Sequence, residues 1–118
     1  MISFEDFKKV EMTVGEILSA EKIPDTDKLL KLSVDLGEEK PRQIVSGISL
    51  YFPDCSVLVG KKCMFVTNLE PRMIRGYESN GMILAVSAED AHLLPEGGQG
   101  KFSLLEPSAE IPAGTKAK

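Results

Sequence analysis

Leu30, Leu32, Val34 and Leu36 alternate with Lys31, Ser33 and Asp35. A period of two predicts a strand with one face in a core and a polar face outward. Gly37-Glu38-Glu39-Lys40-Pro41 reads as a hairpin connection, and Arg42 to Ser46 as the return strand, ended by Gly47. Val10 to Glu21 reads as an earlier strand in which Val10, Met12 and Val14 alternate. Gly15 breaks that phase, as at a bulge or a barrel bend. Lys62 to Leu69 and Met82 to Val86 are apolar on both faces and predict central strands, and Phe102 to Leu105 predicts a late one.

Helical signals are few. Ser3 with Asp6 forms an N-cap pair ahead of Phe4, Phe7 and Val10 at helical spacing, which predicts one or two turns. Ile48 to Phe52 suits a short helix stopped before Pro53. Ile23-Pro24-Asp25-Thr26-Asp27 is a turn, Pro95 to Gly100 is a flexible loop, and the tail beyond Glu106 is irregular. Short strands with frequent turns and a small helix between the third and fourth predict an all-β chain of small α content. The expected architecture is a five-stranded Greek-key barrel of the OB type, one domain over residues 1–118, with a short N-terminal helix and a C-terminal extension.

Composition narrows the function classes. A chain of 118 residues buries roughly two-thirds of its unfolded surface and needs no metal or disulfide for a core. No apolar run approaches the ~18 residues of a membrane helix, and the start has no basic-then-apolar leader pattern. Cys55 and Cys63 fit neither a CxxC motif nor a zinc site and read as free thiols of a reducing cytoplasm. His92, the only histidine, reads as a surface loop residue. No GxGxxG before a helix, GxxxxGK[ST], HExxH or GxSxG occurs, and Asp25 and Asp27 read as turn and capping residues rather than as an acid–base pair. The expectation is a binding domain that catalyses nothing and takes no metal or cofactor.

The net charge of −4 argues against nucleic acid, but its distribution does not. Residues 1–21 hold two bases against five acids, while residues 61–76 hold Lys61, Lys62, Arg72 and Arg75 against Glu70 alone. That basic segment leads into the stretch from Thr67 to Leu84, a long loop between two apolar strands. It carries Arg72, Arg75, Asn68, Ser79, Gly76 and Gly81. Arginines form bidentate contacts to phosphate, glycines let backbone approach a ligand, and Met82 offers an apolar face to a base or sugar. Lys28 and Lys31, with Arg42 on the facing strand, lie where an OB-fold binds oligonucleotides.

Four segments in order carry a resemblance over almost the whole chain: Phe7 to Gly15, Asp27 to Gly37, Arg42 to Ile48, and Asn68 to Gly76 with Ser79 to Met82. They resemble the tRNA-binding domain family, which includes the C-terminal domain of bacterial methionyl-tRNA synthetase and free-standing structure-specific tRNA-binding proteins. The resemblance implies an OB-fold, recognition of tRNA by its shape, a homodimer built from elements flanking the barrel, and an aminoacyl-tRNA synthetase as partner. It implies tRNA contacts at Lys28, Lys31, Arg42, Asn68, Arg72, Arg75, Ser79 and Met82. Where the family often has His-Pro-Asn, this chain has Ile23-Pro24-Asp25. The alternative function is a peptide- or protein-binding chaperone-like module of the same fold. An oligosaccharide site would call for face aromatics, and the chain has no Trp and only Tyr51 and Tyr77.

Overall fold

A computed structural model describes residues 1–88 and 101–118. His92 and the expected loop at 95–100 lie outside the described residues. The alternating segment forms β2 (Leu30–Asp35), with Leu30, Leu32 and Val34 buried and the intervening side chains half-buried. It pairs antiparallel with β3 (Arg42–Ser46) and with β1 (Met12–Lys22). β1 also pairs with β4 (Lys62–Val66), which pairs with the short β7 (Met82–Ile83). The resulting antiparallel sheet has the order β3-β2-β1-β4-β7 and curls into a nearly closed five-stranded barrel of OB type. The strands of this sheet turn apolar side chains inward, and Ile17, Leu30, Leu32, Ile44 and Phe65 form a fully buried centre with Leu58 from the segment before β4. Each such side chain stabilises the fold by about 1.5–3 kcal/mol relative to exposure.

Gly15 acts differently from the expectation. The strand irregularity falls between Ile17 and Ser19, beyond the glycine. A Cβ at Gly15 would stand 2.7–2.8 Å from Val34, Leu36 and Phe65, so its absence lets three core side chains close over β1. The apolar run read as one strand from Met82 to Val86 is two. β7 stays on β4, and β8 (Ala85–Ala88) leaves to pair with β9 (Lys101–Leu104). Leu84 is the switch: its N–H donates to Met64 O at 3.0 Å and its carbonyl accepts from Leu105 at 3.1 Å. Val86 is accordingly exposed rather than core. Likewise β4 ends at Val66, short of the expected Leu69.

The flanking elements follow the sequence more closely. Helix α1 (Phe4–Phe7) starts at Ser3, whose hydroxyl accepts from the Asp6 N–H at 3.1 Å. Ser49–Tyr51 forms a 3-10 turn within the expected Ile48 to Phe52 helix, and Cys55–Leu58 forms a second that the sequence reading does not include. The irregular tail lies along β1: Gly114 donates to Val14 O, Val14 to Thr115 O, and Ala117 to Met12 O, all within 2.8 Å. It thereby covers an edge that would otherwise leave ladder groups unpaired.

Candidate nucleic-acid interface

The long loop expected between the central strands folds as a hairpin. β5 (Arg72–Ile74) pairs with β6 (Tyr77–Ser79), leaving Arg75 and Gly76 as a two-residue connection. Both sit at positive φ, +53° and +85°. Two such residues in succession mark a turn of the type I′ kind, whose twist matches the flanking strands. Gly76 adopts this conformation freely, with open space around its Cα. Arg75 is an uncommon non-glycine in the left-handed region. Cβ-bearing residues are found there mostly where surrounding structure enforces it, often at functional positions.

The hairpin is anchored to β3. Gln43 Nε2 donates to Glu78 O at 3.0 Å, and the Asn80 N–H donates to Gln43 O at 2.9 Å. Ser79 is buried, its Oγ accepting from the Val45 N–H at 3.0 Å and donating to Gly81 O at 3.2 Å. These bonds satisfy backbone groups where the barrel would otherwise open between β3 and β7.

The expected contact residues divide into two groups. Lys28, Arg72 and Arg75 are exposed, and no described residue meets their side chains with a hydrogen bond or ion pair. Lys31 stands on the polar face of β2, 3.4 Å from Glu21 and 5.4 Å from the centre of the Tyr77 ring, so it bridges strand and hairpin. Met82 is exposed on β7. These five groups offer cations and one apolar side chain to solvent.

Arg42, Asn68 and Ser79 are occupied within the protein. Arg42 uses four N–H donors, two on the Glu38 carboxylate and one each on Thr67 O and Asn80 O. The Asn68 amide accepts from the Glu11 N–H at 2.8 Å and donates to Lys9 O at 2.5 Å. Arg42 thus ties β3 to both ends of the hairpin segment, and Asn68 ties that segment to the start of β1. Glu11, Thr13, Thr67 and Lys116 complete this brace, and sequence reasoning did not single them out. Thr67 donates its hydroxyl to the Glu11 carboxylate at 2.6 Å and lies 2.9 Å from the Thr13 hydroxyl, which donates to it in turn. That bond, followed by Lys116, holds the Glu11 carboxyl below its ordinary range. Thr13 falls on the polar phase between Met12 and Val14, so alternation gives no sign that its hydroxyl is buried.

A cleft of about 460 Å³ opens between the 24–29 turn and the hairpin tip, lined by Asp25, Asp27, Lys28, Leu29, Ile74 and Arg75. No group of three or more His, Cys, Asp or Glu among the described residues could hold a metal ion, and no helix among them is long and apolar enough to cross a membrane.

Comparison with known proteins agrees with this fold. A methionine--tRNA ligase of Methanoregula boonei is 51% identical over 119 residues, covering 100% of this chain and 16% of the relative. The chain therefore spans about a sixth of the length of such relatives. A solved MetRS related protein from Pyrococcus horikoshii superposes with a TM-score of 0.84 at 38% identity, covering 100% of this chain and 98% of that one. The chaperone CsaA from Bacillus anthracis superposes at 0.81 with 28% identity, covering 100% of this chain and 99% of that one. The model of a putative tRNA binding domain matches residues 12–116, and the chain belongs to that family.

Proposed function

We propose that this chain binds transfer RNA through the β5–β6 hairpin and the adjoining end of β2, and that it performs no chemistry of its own. The observation that carries the reading is the arrangement of Lys28, Arg72 and Arg75, exposed and without partners among the described residues, around one anchored hairpin. Guanidinium groups that are free and held on an anchored turn suit phosphate oxygens. Lys31 and Met82 extend the surface, while Arg42, Asn68 and Ser79 hold it in shape rather than touch RNA. As a single domain of residues 1–118, working in the cytoplasm, the chain adds tRNA affinity to a synthetase, in the same polypeptide or as a partner, by supplying a second site.

Filter binding with bulk tRNA against double-stranded DNA tests this. Retention of tRNA should fall with salt by roughly 0.7–0.9 log units per log salt for each phosphate contact. Little discrimination among tRNAs is expected, and a strong anticodon preference that survives high salt would oppose the reading. A second reading, a peptide-binding chaperone-like module, is favoured by the likeness to the Bacillus anthracis chaperone. It requires peptide binding that does not depend on Arg72 and Arg75.

The reading includes a homodimer. Helix α1 buries none of its residues, and Phe4, Phe7 and Val10 stay exposed around a hollow shared with Met12 and Ala117. A second copy covering this face removes it from water.

A further inference from the structure

The cleft beside the hairpin tip is lined by two carboxylates as well as two cations. A site for phosphate alone gains nothing from carboxylates, which repel it. Asp25 serves its turn through its backbone, at φ +62°, where aspartate is favoured, but neither carboxylate is used in the turn. Asp35 accepts from the Gly37 N–H and Asp54 from the Ser56 N–H, each closing its own turn. Asp25 and Asp27 accept no bond from any described residue, and the Thr26 hydroxyl between them is spent on Ile23 O at 2.8 Å. No ion pair joins them to Lys28 or Arg75 across the cleft, although the four side chains line one space. Its volume of about 460 Å³ lies within the about 300–1,000 Å³ of small-ligand sites, and Leu29 and Ile74 give it an apolar floor.

We infer that this cleft takes the ribose of one nucleotide, with Arg75 and Lys28 on its phosphate and Asp27 accepting a hydrogen bond from its 2′-hydroxyl. The inference rests on the RNA-binding reading and adds a specificity residue to it. An ionised carboxylate only accepts, so it needs a donor. Phosphates lack one, and the 2′-hydroxyl supplies one that distinguishes RNA from DNA. Asp27 and Lys28 line the same cleft, which places a carboxylate and a cation within reach of one nucleotide. Asp25 beside it keeps the cleft from collecting bare phosphate.

The test compares a tRNA transcript with DNA of the same sequence at low salt, using wild type, Asp27→Ala, Asp27→Asn and Arg75→Ala. Asp27→Ala is expected to bind tRNA about tenfold more weakly and DNA no more weakly than wild type, in line with loss of a charge-assisted hydrogen bond. Asp27→Asn keeps a carbonyl acceptor and should recover part of the loss, and it carries the comparison if the alanine variant lowers Tm. Removing a negative charge should by simple electrostatics tighten binding to any polyanion. An Asp27→Ala variant that binds tRNA as well as or better than wild type therefore overturns the inference. So does an equal loss on RNA and DNA, which assigns Asp27 to a base. Arg75→Ala separates the two claims. If it binds tRNA like wild type, the interface itself is wrong. If it weakens both nucleic acids while Asp27→Ala weakens neither, the sugar contact alone fails.

Discussion

Arg42 grips Glu38 as a fork, its Nε donating to Oε1 at 2.8 Å and its Nη2 to Oε2 at 2.7 Å. The same guanidinium donates through Nη1 to Thr67 O at 2.6 Å and Asn80 O at 3.1 Å. One side chain therefore fixes both feet of the hairpin to β3. Arg42→Ala leaves two carbonyls without their charged donor and should cost about 1–3 kcal/mol of stability. The loss should depend on pH. The Arg42 hydrogen bond holds the Glu38 carboxyl below its ordinary value, so that part of the stabilisation is fully present above the unfolded carboxylate pKa of about 4.3. It fades as pH falls through the lower folded value. Glu38 is partly exposed, so screening keeps this share small. Urea unfolding of both proteins from pH 7 to pH 3 should show the gap between them narrowing on the acid side. A gap that widens there would contradict the assignment.

Ser79 works at closer range. Removing its hydroxyl leaves the buried Val45 N–H unpaired, so Ser79→Ala should lower stability by about 1–3 kcal/mol. Well below its Tm the variant should still bind tRNA within a few-fold of wild type. A hundredfold loss of binding with unchanged stability would make Ser79 a contact residue instead.

How much of this the sequence discloses depends on how far apart the partners lie. β3 occupies the expected Arg42 to Ser46, and the Ser3 cap is made three residues on, because alternation and capping are local. The Asn68 amide meets residues 57 and 59 positions away, so its type alone does not tell a brace from an RNA contact. The hairpin was hidden for a different reason. Its turn puts an arginine at positive φ, where composition points to Asn or Asp with Gly. Leu84 shows the third limit: an apolar run states that residues are strand-like, not where they change partners.

The two thiols should differ in reactivity. Cys63 is fully buried, and burial pushes its thiol up to about 11, whereas Cys55 is half-buried and donates to Ala20 O at 3.4 Å. A thiol reagent at pH 8 should label Cys55 first and reach Cys63 only on unfolding. Rapid labelling of both in the native protein would contradict the packing of β4.

The exposed α1 face predicts association. Sedimentation at micromolar concentration should give twice the chain mass of 12.9 kDa, and a Phe4→Ser, Phe7→Ser double variant should run as the monomer. A wild-type monomer at that concentration would remove the dimer from the account.

The hairpin tip carries the central claim, and one measurement reaches it directly: tRNA affinity of Arg72→Ala and Arg75→Ala across a salt series, with Tm recorded for each. Both side chains are exposed and unpaired among the described residues, so Tm should stay close to wild type. Each variant should lose roughly ten- to a hundredfold in affinity and show a shallower salt slope, while Lys101→Ala, an exposed change on β9, should do little. Wild-type affinity and slope in both arginine variants would show that RNA does not bind at this hairpin.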